Sequence, residues 1–308
     1  MHRLFALALP IVLAALLAGF APVRQQSKVV DMRLTLQRLE VESARELEAY
    51  FESVGYGWPL QADQQIPPLE LRTLPKDLYK IDDVTQRKAL FFRSLLPIVL
   101  AENEKLLELR AKIIELIGIG VANLDDGRRR WLESIAAFYK VRGNIRDSHV
   151  QRKLLRRVDV VPAALVLAQA ANESAWGTSR FALQGNNLFG LWTYRQASGI
   201  VPQNRPEGAS YAVRAFSSID ASVRAYLQNL NTNAAYTELR KLREDMRVTG
   251  EEFDSHRLAV GLLAYSSRGE EYVEEIQAMM RSNRLLSRLE RVSLKSETRV
   301  VSDLVQAD

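Results

Sequence analysis

The sequence predicts a mainly α-helical protein with a helical N-terminal extension and one small β-hairpin or loop lobe. Three observations carry this reading. Apolar residues recur at helical spacing along most of the 308 residues. That periodicity stops after Gly190 and returns at about Ile219, and the interval holds glycines, prolines and a short alternating piece, Tyr211, Val213 and Ala215. The composition, 47% hydrophobic and 26% charged, is that of a globular chain able to bury one sizeable core.

At the N-terminus Arg3 precedes an uncharged apolar stretch, Leu4 to Val23, which reads as an export signal. Gly19 and Ala21 resemble a small-x-small cleavage site, although Pro22 follows it awkwardly; uncleaved, about 20 apolar residues suffice for an inner-membrane anchor. Either way, residues after 23 are expected to work outside the cytoplasm, in the periplasm or on the periplasmic face of the inner membrane. A helical pattern over 28–55 leads into a four-proline run, GWPLQADQQIPPLELRTLP, read as a linker or wrapping segment ending at 75. Residues 76–155 form a helical extension. Within it Pro97 should kink or split the helix that starts near Val84, and Trp131, Ile135, Phe138 and Tyr139 mark another amphipathic helix.

Asp159 to Trp176 is the next helix, with Pro162 suited to its first turn and Gly177 to its end. After the irregular lobe, helical patterns return in SSIDASVRAYLQNL, FDSHRLAVGLLAY and EEYVEEIQAMM. Residues 286–308 are charged and weakly periodic, as in a mobile tail.

Composition excludes several chemistries. There is no cysteine, hence no disulfide or thiolate. His2, His149 and His256 lie far apart, without metal-ligand spacing. There is no G-x-S-x-G elbow and no glycine-rich phosphate loop, so neither a metal nor a cofactor is expected. The net charge of +5 comes from 42 basic and 37 acidic residues without a long basic run, which gives no case for nucleic acid and is compatible with a polyanionic wall.

The chemistry centres on ANESAWGTSRFALQGNNLFG, residues 171–190. Leu165, Gln169, Asn172 and Trp176 recur three to four residues apart, so Glu173 lies beside a partly polar stripe in the last turn of its helix. The negative helix end and an apolar wall such as Trp176 both disfavour the carboxylate, raising its pKa toward that of a general acid. An arbitrary glutamate would simply face solvent. Here glycines, Asn186 and Asn187 follow directly, with Trp176, Phe189 and Trp192 as flat apolar surfaces, a combination suited to a sugar ring. For Phe189, core packing is the expected role.

The run LAQAANESAWGTSRFALQGNNLFGLW resembles the glucosaminidase motif of glycoside hydrolase family 73, in which a glutamate in E-S-x-W-G-x-S precedes N-L-F-G. Together with GIVPQNRPEGASYAVRAF, SVRAYLQNLNTNAAY and YSSRGEEYVEEIQAMM, it resembles more closely the bacterial Bax group, which is unrelated to the apoptosis regulator of that name. The resemblance implies a lysozyme-like helical catalytic domain over 156–285 that cleaves β-1,4 links after N-acetylglucosamine in peptidoglycan glycan strands. It implies that Glu173 is the general acid and that Tyr265 closes the site near the acetamido group. Trp176, Asn187, Trp192 and Tyr272 become candidate substrate-binding residues, with Tyr272 expected to pack and Asn187 to support its loop.

The second carboxylate of a glycosidase has one candidate in the lobe, Glu207, which reads equally as a solvated turn residue. Where the Bax group commonly carries His-Glu, this chain has Tyr211 and Ala212. The substrate's own acetamido group could assist instead. Two other readings stay open: a lytic transglycosylase, and a non-catalytic wall-binding or scaffold protein.

Overall fold

The computed structural model describes residues 36–61, 63–203 and 205–295. The expected signal or anchor at 1–23 lies outside the described residues, as do 24–35 and 296–308. Among the described residues no helix is long and apolar enough to cross a membrane.

The extension opens with β1 (Gln37–Leu39) and α1 (Ala44–Ser53), whose N-cap Ser43 accepts from the Glu46 amide. The proline-rich run packs on the core through Leu60, Ile66, Leu69 and Leu71 and contributes β2 (Gln65–Ile66) and β3 (Leu69–Leu71). β1 pairs in parallel with β3, Arg38 opposite Glu70. α2 (Val84–Ile119) then runs 36 residues from an Asp83 cap. The helix is not split at Pro97: Ala89 to Val99 are all buried, and packing against later helices outweighs the roughly 3 kcal/mol that an interior proline costs. α3 (Asp126–Phe138) and α4 (Ser148–Arg157) follow.

α5 (Ala163–Ser174) is the central helix: Leu165, Val166, Leu167, Ala168 and Ala170 have no exposed surface. A short α6 (Arg180–Gly185) leads into the lobe. The expected hairpin is a three-stranded antiparallel sheet of β4 (Trp192–Thr193), β5 (Gly199–Ile200) and β6 (Ala212–Arg214), with β6 in the middle and Trp192 opposite Val213. The remaining helices are α7 (Ile219–Thr232), α8 (Thr237–Thr249), α9 (Ser255–Ala259), α10 (Glu270–Ser282) and α11 (Leu285–Arg288). The chain expected to become a mobile tail at 286 is instead folded to 295: β7 (Ser293–Leu294) pairs in parallel with β2, and buried Val292 and Leu294 join the core. Those two side chains supply the burial that charge content alone conceals.

Packing does not divide where the extension was expected to end. One apolar cluster joins Leu47 and Phe51 of α1, the apolar residues from Leu90 to Val99 of α2, those from Ala164 to Ala171 of α5 and the inner faces of α7 to α10. A second cluster joins the far end of α2 to α3 and α4, through Ile113, Leu132 and Leu154. The break falls inside α2, which helical periodicity cannot reveal because both halves repeat alike.

A buried polar knot ties α5 to its neighbours. Asn103 of α2 donates to the Val161 carbonyl at 2.7 Å and accepts its amide at 3.1 Å. Asp159 receives Arg247 at 2.8 Å, with Arg110 at 3.5 Å and Arg243 at 3.9 Å. Arg243, only 1% exposed, also donates to the carbonyls of Arg156, Asp159 and Val160. Removing one member of such a group leaves unpaired buried charge. Asp159→Ala is therefore expected to cost about 3–5 kcal/mol of folding free energy, read from urea denaturation at neutral pH; a loss near zero would show that the arginines need only their carbonyl partners.

Candidate active site

The site is built at the end of α5. The helix stops at Ser174, and the chain turns through three successive left-handed residues, Ala175, Trp176 and Gly177, at φ of 49°, 59° and 77°. The Ser174 hydroxyl accepts the Gly177 amide at 2.8 Å, and the Trp176 amide donates to the Ala171 carbonyl at 2.9 Å. Gly177 has no alternative here, because a Cβ would lie 2.4 Å from Leu74 and 3.0 Å from Phe91.

This turn sends Trp176 away from its expected place. Its ring packs edge-on against Phe91 and Phe92 of α2, at 6.0 and 5.2 Å, under the Lys88 ammonium at 4.5 Å. It braces the turn against α2.

Tyr272 of α10 takes the place beside the acid, and its contact is more direct than packing. Its hydroxyl donates to Glu173 Oε1 at 2.8 Å, while Gln169 Nε2 donates to the same hydroxyl at 2.8 Å. Tyr272 is 1% exposed, so its hydroxyl serves the acid and does not meet substrate as a surface residue would. Burial holds its pKa far above the usual phenol value, and the neighbouring Glu173 adds to this, so Tyr272 remains a donor at all working pH values.

Glu173 is half-buried. Burial pushes its carboxyl above the ordinary 4.5, against the opposing pull of the Tyr272 and Asn172 side chains, and Glu275 adds a further push upward. Glu275 pairs with Arg268, whose guanidinium lies 5.8 Å from the Tyr272 ring centre. The other carboxyl oxygen, Oε2, faces Gly190, and a Cβ on that glycine would stand 3.4 Å from it. Gly190 adopts φ 62°, so a side chain there would be strained as well as close.

Asn187 shapes this loop. It donates to the carbonyls of Leu191 and Arg214 at 2.8 and 2.7 Å and accepts the amides of Phe189 and Leu191. With every polar group committed and 2% exposure, it supports the loop and offers no hydrogen bond to a ligand. Tyr265 is half-buried, stacks parallel on Tyr272 with ring centres 5.4 Å apart, and donates its hydroxyl to the Phe189 carbonyl at 2.7 Å. Phe189 is core, stacked 4.0 Å from Tyr226.

The lobe supplies the aromatic surface. Trp192 is 58% exposed, with its ring 4.2 Å from that of Tyr211. Glu207 is an exposed corner of a turn closed by the Ala209 amide on the Pro206 carbonyl at 3.2 Å, and none of the contacts that hold Glu173 involves it. The structure thus gathers Glu173, Tyr272 and Tyr265, keeps Asn187 one layer behind, packs Trp176 on α2 and gives Glu207 no part in the contacts that hold the acid. Sequence reasoning placed Gln169 on the right helix face but gave it no role. Tyr226, Arg268 and Glu275 carried no local signal.

Comparison with known proteins follows the same outline. The glucosaminidase family model, described as mannosyl-glycoprotein endo-beta-N-acetylglucosaminidase, matches residues 149–285. The chain is 35% identical over 212 residues to Protein bax of Escherichia coli strain K12, an alignment covering 68% of this chain and 74% of that protein. No solved structure matches.

The raised Glu173 pKa sets a stability prediction. Between 4.5 and the raised value the folded state holds a proton that the unfolded state has released, so this contribution falls as pH rises through that window. Glu173→Gln, uncharged throughout, is expected to melt higher than wild type at neutral pH, with the difference closing toward pH 4. Equal melting temperatures at both pH values would show that the carboxylate is carried without penalty.

Proposed function

The chain belongs to the glucosaminidase family, and from that premise we propose that it is an exported peptidoglycan hydrolase that cleaves the β-1,4 link after N-acetylglucosamine, with Glu173 as general acid. The observation that carries this is the Glu173 carboxyl: half-buried, pushed toward its neutral form, anchored through Oε1 by Tyr272 and set beside Gly190 through Oε2. A neutral carboxyl so placed can protonate the leaving oxygen as the glycosidic bond breaks. The exposed Trp192 ring of the lobe, backed by the half-buried Tyr211, offers a flat face for the apolar side of a sugar.

The second role falls to the substrate's acetamido oxygen, which stabilises the developing cation from the opposite face. Two features support this assignment. Glu207 stands at an exposed corner without side-chain hydrogen bonds to other described residues, and the lobe presents Tyr211 and Ala212 where an acid is commonly found in similar chains. Tyr265 fixes the Phe189–Gly190 loop that the reacting sugar would face. The apolar stretch at 4–23 supports action outside the cytoplasm, on glycan strands of the wall.

Digestion of purified peptidoglycan is expected to release fragments with reducing N-acetylglucosamine ends, identified by mass spectrometry. The single-acid arrangement also suits a lytic transglycosylase, and anhydro ends would establish that reading in place of hydrolysis. Glu173→Gln should lower turnover by about 10²- to 10⁴-fold, and wild-type activity should fall as pH rises through the raised Glu173 value. Glu207→Gln should change activity by no more than about threefold, against the roughly hundredfold or greater loss expected of a general base. A loss of that size would return the second role to Glu207.

A further inference from the structure

A row of hydrogen bonds with one direction stands behind the acid. The Tyr226 hydroxyl donates to Gln169 Oε1, Gln169 Nε2 donates to the Tyr272 oxygen at 2.8 Å, and Tyr272 donates to Glu173 Oε1 at 2.8 Å. Tyr226 and Gln169 have no exposed surface, so water does not complete or reverse the row. Each member has its task fixed by its neighbour. A glutamine amide has one acceptor end and one donor end, and the Tyr226 hydroxyl occupies the acceptor. Its donor end therefore points at Tyr272. The Tyr272 hydrogen then goes to Glu173.

A carboxyl that accepts strongly through one oxygen keeps its acid hydrogen on the other. Here the other is Oε2, which faces Gly190. We propose that Gln169 and Tyr226 are positioning residues for the acid, and that the one-way row from Tyr226 through Gln169 and Tyr272 leaves Oε2 as the oxygen that delivers the proton. This rests on Glu173 being the general acid, but the row can be tested without turnover.

The test is a carbon-13 NMR titration of the Glu173 carboxyl in the full chain, for wild type, Gln169→Met, Tyr226→Phe, Tyr272→Phe and the Gln169→Met/Tyr272→Phe double variant. Without the Gln169 N–H, Tyr272 is a weaker donor, the Glu173 carboxylate loses support, and its titration moves up. About half a pH unit is expected for Gln169→Met and less for Tyr226→Phe, which removes a single oxygen and serves if the methionine variant does not fold. Adding Gln169→Met to Tyr272→Phe should give no further shift, because the amide acts only through that hydroxyl. On peptidoglycan, the alkaline limb of kcat should move with the titration while KM stays constant.

A titration that stays put or moves down in both Gln169→Met and Tyr226→Phe, or shifts that add in the double variant, would overturn the proposal. Shifts as expected in a protein that leaves peptidoglycan intact would instead sink the hydrolase reading and leave the row of bonds standing.

Discussion

The hydrogen bond from Tyr272 to Glu173 joins residues 99 apart in sequence, and it exists only while α5 and α10 stay packed face to face. Most of the fold serves that contact. α2 lies behind α5, α9 beside it, and the Asp159 and Asn103 groups fix the residues from which α5 starts. The site is consequently as rigid as the core. A carboxyl held away from water by a mobile loop would regain its hydration with each excursion, whereas one held between packed helices keeps its raised pKa. The price is the stability lost where that carboxylate is charged.

The lobe is built differently from the helical body. The lobe is a sheet of two- and three-residue strands with exposed Trp192 and Tyr194, joined to the body largely by Asn187 and by the Phe216 amide on the Gly185 carbonyl at 2.8 Å. Among its strands only β6 buries side chains, Ala212 and Val213, and strands so short belong to the less stable parts of a fold.

How much of this could be read in advance depended on whether the signal was local. Glu173, Gly177 and the loop after Asn187 follow one another along the chain, so the end of α5 was legible from helix periodicity and turn residues. The direction of the Trp176 ring was not, because it depends on left-handed geometry at Ala175 and Trp176, residue types that rarely adopt it. Nor was the task of Tyr272, since a tyrosine on an amphipathic face reads the same whether its hydroxyl meets a carboxyl or a carbonyl. Gln169 shows the same limit: one helical turn from Glu173, its amide could be placed on a face but not aimed. The C-terminal segment misled through composition, its charges outnumbering the two apolar residues that dock it.

The residues that match the family model begin inside α4 and end at the first residue of α11, yet the core they belong to does not close within those limits. Phe91 and Leu74 fill the space against Gly177, and the Arg72 carbonyl receives the Ile219 amide at 3.0 Å. The recognisable stretch is therefore not a portable module. Moving it to another protein would require residues 44–101 to move with it, or a new helix in place of α2.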